Sequence, residues 1–109
     1  MITLAEFEKA DIRVGTIMEA LDFANAKKPA FRLKIDFGEL GILKSSAQIT
    51  PIYSKEELIG KQIIAVVNFP PRQVADFMSE CLVLGVMGPN KVVILLQPDQ
   101  PAKNGDKIG

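Results

Sequence analysis

Asp76 and Glu80 stand four residues apart, a spacing that would bring two carboxylates onto one face of a helix as an acid and base pair, if that stretch were helical. Acids in a connecting segment are far more often solvated than catalytic, and no other group supports the pair. Histidine is absent from the 109 residues, which removes the imidazole base that works near neutral pH and a common metal ligand. The single cysteine, Cys81, can build neither an internal disulfide nor a Cys-based zinc site, and in its apolar run it reads as a small buried hydrophobe. Glycines fall singly, without the spacing of a phosphate loop or a dinucleotide fingerprint. These residues predict no enzyme, no cofactor and no metal.

Binding chemistry is better represented. Lys27, Lys28, Arg32, Lys34 and Lys44 fall on what reads as the second strand, its approach and the third strand. Pairing would gather them into a patch able to hold phosphates; the alternative is a solvated face balanced by Asp22, Asp36 and Glu39. Ser45, Ser46, Gln48 and Asn68 add neutral donors and acceptors suited to backbone or base-edge contacts, or to satisfying nearby turns. Thirteen basic residues balance thirteen acidic ones, so no global field draws the chain to nucleic acid, and RNA contact is expected to be local, weak and sequence-tolerant. The stretch from Asn68 to Glu80 is the most unusual: Pro70 and Pro71 stiffen an irregular connection that carries the large apolar groups Phe69, Phe77 and Met78. Either the loop plugs a barrel end or partner subunit, or it walls a polypeptide site with Phe69, Phe77 and Met78 as anchors and Arg72 and Gln73 as rim contacts.

The elements that must position these residues follow from periodicity. Thr3 and Glu6 have the spacing of a capping box, predicting a short amphipathic helix that ends near Ala10. An imperfect alternation over Asp11–Phe23 predicts a long first strand, with Gly15 as the place for a bend or bulge. Phe31, Leu33, Ile35 and Phe37 alternate cleanly with Arg32, Lys34 and Asp36 as a second strand, and Ile42–Ile49 reads as a third. Ser54 and Glu57 cap a helix of one to two turns closed by Gly60. Apolar runs over Ile63–Asn68, Cys81–Met87 and Val92–Leu96 read as buried strands, and the proline-bearing tail Gln97–Gly109 as a surface arm.

At this length and with 48% hydrophobic residues, one domain over 1–109 is expected, with an N-terminal helix at 1–10 and a C-terminal arm at 97–109. Three strands, a short helix, then further strands predict an all-β, five-stranded OB-fold barrel with short helices and terminal extensions; an open sheet is the alternative. The longest apolar stretches fall far short of the roughly 20 residues of a bilayer span. The N-terminus has no basic region, long apolar run or cleavage site, so membrane insertion and an export signal are not expected. The expected compartment is the cytoplasm.

Several motifs together carry a family resemblance. Asp11-Ile-Arg-Val-Gly15, Ile35-Asp-Phe-Gly38, Tyr53-Ser-Lys-Glu-Glu-Leu-Ile-Gly-Lys61, Val67-Asn68 and Ser79 resemble the tRNA-binding domain appended to bacterial methionyl-tRNA synthetase. Ser45-Ser-Ala-Gln-Ile-Thr50, Asn68-Phe-Pro-Pro-Arg72, Ser79-Glu80, Leu82-Val-Leu-Gly85 and Leu95-Leu-Gln-Pro-Asp-Gln-Pro101 resemble the CsaA family. The resemblance implies an OB barrel and a homodimer that binds unfolded or precursor polypeptides for export, in touch with the export machinery, with residual weak tRNA affinity to which Ser79 would contribute. A structure-specific tRNA-binding protein acting in trans is the alternative. Departures from the tRNA-binding pattern weaken its RNA half: Ala47-Gln48 replaces the usual Ser-Gly, Ala75-Asp76 replaces Arg-Gly, and the usual His-Pro is missing around Ala24 and Asn25. Leu4, Phe7, Leu95, Leu96 and Ile108 at the termini are expected to cover apolar surface between two copies.

Overall fold

The computed structural model describes residues 1–109. Helix α1 (Leu4–Glu8) opens with a reciprocal capping box, in which the Thr3 hydroxyl accepts from the Glu6 N–H at 3.1 Å and the Glu6 carboxylate accepts from the Thr3 N–H at 3.0 Å. It buries none of its residues against the rest of the chain. Strands β1 (Ile12–Asp22), β2 (Phe31–Asp36) and β3 (Ile42–Ala47) follow as a meander. Helix α2 (Lys55–Leu58) comes next, then β4 (Gln62–Val66), β5 (Arg72–Val74), β6 (Phe77–Ser79), β7 (Leu82–Val83), β8 (Gly85–Met87) and β9 (Val93–Leu95).

Five strands pair antiparallel in the order β3-β2-β1-β4-β7 and curl into a nearly closed barrel of OB type. The long β1 makes this possible by changing partners: Ile12–Thr16 pairs with β4, and Thr16–Asp22 with β2. Side chains of Ile17, Leu33, Ile35, Phe37, Leu58 and Ile63 are almost wholly removed from water inside the barrel, each contributing about 1.5–3 kcal/mol of burial. Gly15 serves this core by having no side chain: a Cβ there would lie 2.7 Å from both Ile35 Cγ2 and the Phe37 ring. The register break in β1 falls between Ile17 and Glu19, past Gly15, so the glycine makes room while the bulge lies elsewhere.

Closure of the seam between β3 and residues 79–81 depends on side chains. The Glu80 N–H donates to the Lys44 carbonyl at 2.7 Å, and the Lys44 N–H donates back to the Glu80 carboxylate at 2.9 Å. The Ser46 N–H donates to Ser79 Oγ at 3.1 Å, and Ser45 Oγ donates to the Cys81 carbonyl at 3.0 Å. Side-chain oxygens thus stand where a partner strand's carbonyls would be.

Three expectations need correction. The supposed loop from Asn68 to Glu80 holds the hairpin β5–β6, closed by the two-residue turn Ala75-Asp76 with Ala75 at φ 53. Asp76 and Glu80 therefore share no helical face. The run over Cys81–Met87 divides at Leu84 into β7 and β8, and the later apolar strands are only half covered, with Leu82, Val86, Met87 and Ile94 exposed. Leu95 belongs to the core and is 7% exposed, its N–H held by the Tyr53 hydroxyl at 3.0 Å, so it cannot serve a subunit interface. The C-terminal arm docks along the edge of Ile12–Val14 that faces away from β4. The Val14 N–H donates to Asp106 O, Gly105 N–H to Val14 O, and Ile108 N–H to Ile12 O, while Gln62 and Asn104 hold the arm's approach.

Candidate binding clefts

The two antiparallel ladders β4–β7 and β5–β6 involve the same two chain segments, yet they are not continuous. Val66 pairs with Leu82 and Arg72 with Ser79, which leaves residues 67–71 on one strand opposite only 80–81 on the other. The longer side must bow outward, and Pro70-Pro71 sets it extended. Beneath the arch lies a groove of about 460 Å³, walled by Phe69, Pro70, Pro71 and Arg72 on one side and Glu80, Cys81 and Leu82 on the other, with Ser46 of β3 also lining it. Phe69 is 53% exposed, and Leu82 opposite is 47% exposed. The Cys81 thiol is pushed up to about 12, chiefly by desolvation, with the nearby Glu80 charge adding and the hydrogen bond to Ser45 opposing. Its Sγ donates to the Lys44 carbonyl at 3.8 Å, and the thiol stays neutral and unreactive.

A second cleft of about 300 Å³ lies on the other side of the hairpin. Lys27 and Lys28 of the connection after β1, Ser46 and Gln48 at the end of β3, and Val74 and Ala75 at the hairpin tip line it. Asn25 Nδ2 donates to the Asp76 carboxylate at 3.2 Å, joining that connection to the tip. Lys27 and Lys28 are exposed and enter no ion pair.

The basic residues expected on β2 and β3 do share one face. Arg32 stands opposite Ser46, and Lys34 directly opposite Lys44. Two ammonium groups in register repel, and each has found local relief: Lys34 pairs with Glu19 at 3.3 Å, and Lys44 Nζ lies 5.3 Å from the centre of the Phe77 ring. Arg32 donates to the Asp22 carbonyl at 3.1 Å and lies 5.7 Å from the Phe23 ring. Of the neutral groups, Ser45 is buried with its hydroxyl donated to Cys81, and Ser79 Oγ is taken by the Ser46 N–H, so both serve the seam. Asn68 likewise ties loop to helix, accepting from the Asp11 N–H at 2.9 Å and donating to the Lys9 carbonyl at 2.7 Å. Those three are structural; Ser46 and Gln48 face a cleft.

The five expected polypeptide contacts also divide. Phe69 and Arg72 line the groove. Phe77 is half-buried and packs edge-on against Phe23, ring centres 5.5 Å apart at 66°, so it fastens the hairpin to the barrel. Met78, next in the strand, points to the opposite face and is 41% exposed, opposite Gln73, whose amide donates to the Ala75 carbonyl. Sequence reading missed Glu80 as a strap and Leu82 as the groove's apolar wall; the five-against-two mismatch that makes the groove is visible only once the strands are paired.

Comparison with known proteins agrees with this architecture. A family model described as "Putative tRNA binding domain" matches residues 12–107. Crystal structures of the CsaA chaperones of Bacillus anthracis and Picrophilus torridus superpose with TM-scores of 0.96 and 0.94, at 53% and 57% identity. Each comparison covers 100% of this chain, and 99% and 100% of the respective structure. The methionine–tRNA ligase of Leptospira biflexa is 41% identical over 107 residues, which is 98% of this chain and only 15% of the ligase. The chain belongs to the tRNA-binding domain family and, within it, to the CsaA type. The ligases it resembles match it over a small fraction of their length.

Proposed function

We propose that the protein is a non-enzymatic chaperone that holds unfolded or precursor polypeptides for export, with a weaker capacity for tRNA. The observation that carries this reading is the preset groove under the Phe69–Arg72 arch. A flexible chain docking there meets a wall whose backbone is already extended, so ordering costs fall mainly on the client. The likeness to two CsaA chaperones over their whole length supports the same reading. In this account Phe69 and Leu82 take apolar side chains, and Arg72 at the rim takes a client carbonyl or carboxylate. Suppression of aggregation of a chemically unfolded protein tests it: Phe69→Ala should abolish protection while leaving the unfolding transition in place. Protection equal to wild type would remove the groove from the account.

A second reading, a tRNA-binding protein acting in trans, is favoured by Lys27 and Lys28, which line a cleft and enter no ion pair. Phosphate contacts release counterions and weaken steeply with salt, whereas apolar capture does not, so a salt titration separates the two. We further propose a single such domain per chain, acting in the cytoplasm as a homodimer. Leu4 and Leu96 remain exposed, and Phe7 and Ile108 partly so, alongside the cross-strand pair Val86 and Ile94. A second copy would cover that surface.

A further inference from the structure

The two clefts are neighbours that share a wall. Ser46 lines both of them. Between them stands the β5–β6 hairpin, presenting Val74 and Ala75 to the basic cleft and Arg72 and Ser79 to the apolar groove. No backbone hydrogen bond ties residues 72–79 of the hairpin to the barrel; it is held by Glu80, the Ser79 hydroxyl, the Phe77 ring and, at its tip, the Asn25–Asp76 hydrogen bond. We infer that polyanion and unfolded polypeptide exclude one another on each protomer, because a macromolecule seated in either cleft runs across Ser46 and over the hairpin into the other. This rests on the reading above, in which both kinds of ligand are held.

Size enforces the exclusion. Each cleft accommodates a few side chains or one nucleotide, while an unfolded chain or a folded RNA extends well beyond that. Polypeptide leaving the groove past Ser46 meets Lys27 and Lys28 next, and an RNA backbone on those lysines passes the hairpin tip at Ala75 and Asp76.

The test uses reduced, carbamidomethylated α-lactalbumin with a fluorescent label as polypeptide and bulk bacterial tRNA as polyanion, at one fixed salt concentration. With tRNA at ten times its own Kd, the apparent Kd for polypeptide should rise about elevenfold, as mass action requires of two ligands for one place. The variant Lys27→Glu with Lys28→Glu should lose tRNA and show one apparent Kd for polypeptide whether or not tRNA is added. An unchanged apparent Kd in the wild-type protein would overturn the inference, as would sedimentation of a complex with one polypeptide and one tRNA on every protomer. So would continued inhibition by tRNA in the double variant. Failure of the functional reading looks different: the wild-type protein would capture only one of the two ligands, or neither.

Discussion

Truncating Phe77 to alanine separates a fastening residue from a client anchor. The ring is half-buried, its centre 5.5 Å from that of Phe23 and 5.3 Å from the Lys44 ammonium. A fully buried phenylalanine costs about 3–5 kcal/mol on truncation, an aromatic pair contributes about 0.5–1.5 kcal/mol, and an exposed cation–π contact about 0.5–1 kcal/mol. Partial burial places Phe77→Ala at about 2–3 kcal/mol. With a urea dependence of ~1–3 kcal/mol per molar, the midpoint should fall by about 1 M or more. A double-mutant cycle with Phe23→Ala should recover a coupling of about 0.5–1.5 kcal/mol. Polypeptide capture, measured where the variant is still folded, should persist because Phe77 does not line the groove. An unchanged midpoint together with lost capture would refute the reasoning and make Phe77 an anchor.

Further outcomes follow from the same geometry. Gly15→Ala should cost about 1–3 kcal/mol, because its new Cβ would meet Ile35 and Phe37 inside a filled core; an unchanged thermal midpoint would show that the core yields there. Cys81 should resist alkylation at pH 8 in the folded protein and react readily in denaturant. Because the fold keeps the Cys81 thiol protonated up to about 12 while an unfolded chain releases that proton near 9, its contribution is complete below pH 9 and is lost as the pH rises toward 12. Urea unfolding of wild type against Cys81→Ala at pH 8 and pH 10 should show the wild type losing more stability at the higher pH; an equal loss would contradict the burial argument. The wild-type protein should sediment at twice the monomer mass and Val86→Glu as a monomer; a monomeric wild type or a dimeric variant would remove the proposed interface.

The barrel was legible where side chains alternate, because a two-residue period directly encodes which face is wet: Leu33 and Ile35 are inside, Lys34 is outside, as Phe31–Phe37 implied. Both helix starts were equally plain, since Thr3 with Glu6 and Ser54 with Glu57 make the hydrogen bonds their spacing suggests. The hairpin at 72–79 escaped notice because its strands are three residues long and its turn puts Ala75, where glycine would advertise the bend, at positive φ. Leu95 was misread because a continuous apolar run does not say which alternate residues face the core. Ile94 and Leu96 point out while Leu95 points in, a distinction made by pairing with Gly85 and not by composition. For the clefts, Phe69, Arg72, Lys27 and Lys28 were readable from residue type, whereas Ser45, Asn68 and Ser79 were polar for reasons of seam and loop closure that no local pattern announces.

Hydrogen exchange of the protein with and without a saturating unfolded polypeptide tests the central claim most directly. Protection is expected over residues 67–72 and 79–82, the two sides of the groove, with little change at Asn25–Lys28 beyond what a long client covers. Protection confined to Asn25–Lys28 and Gln48, or none at either groove wall, would contradict the assignment of the groove as the place where polypeptide is held.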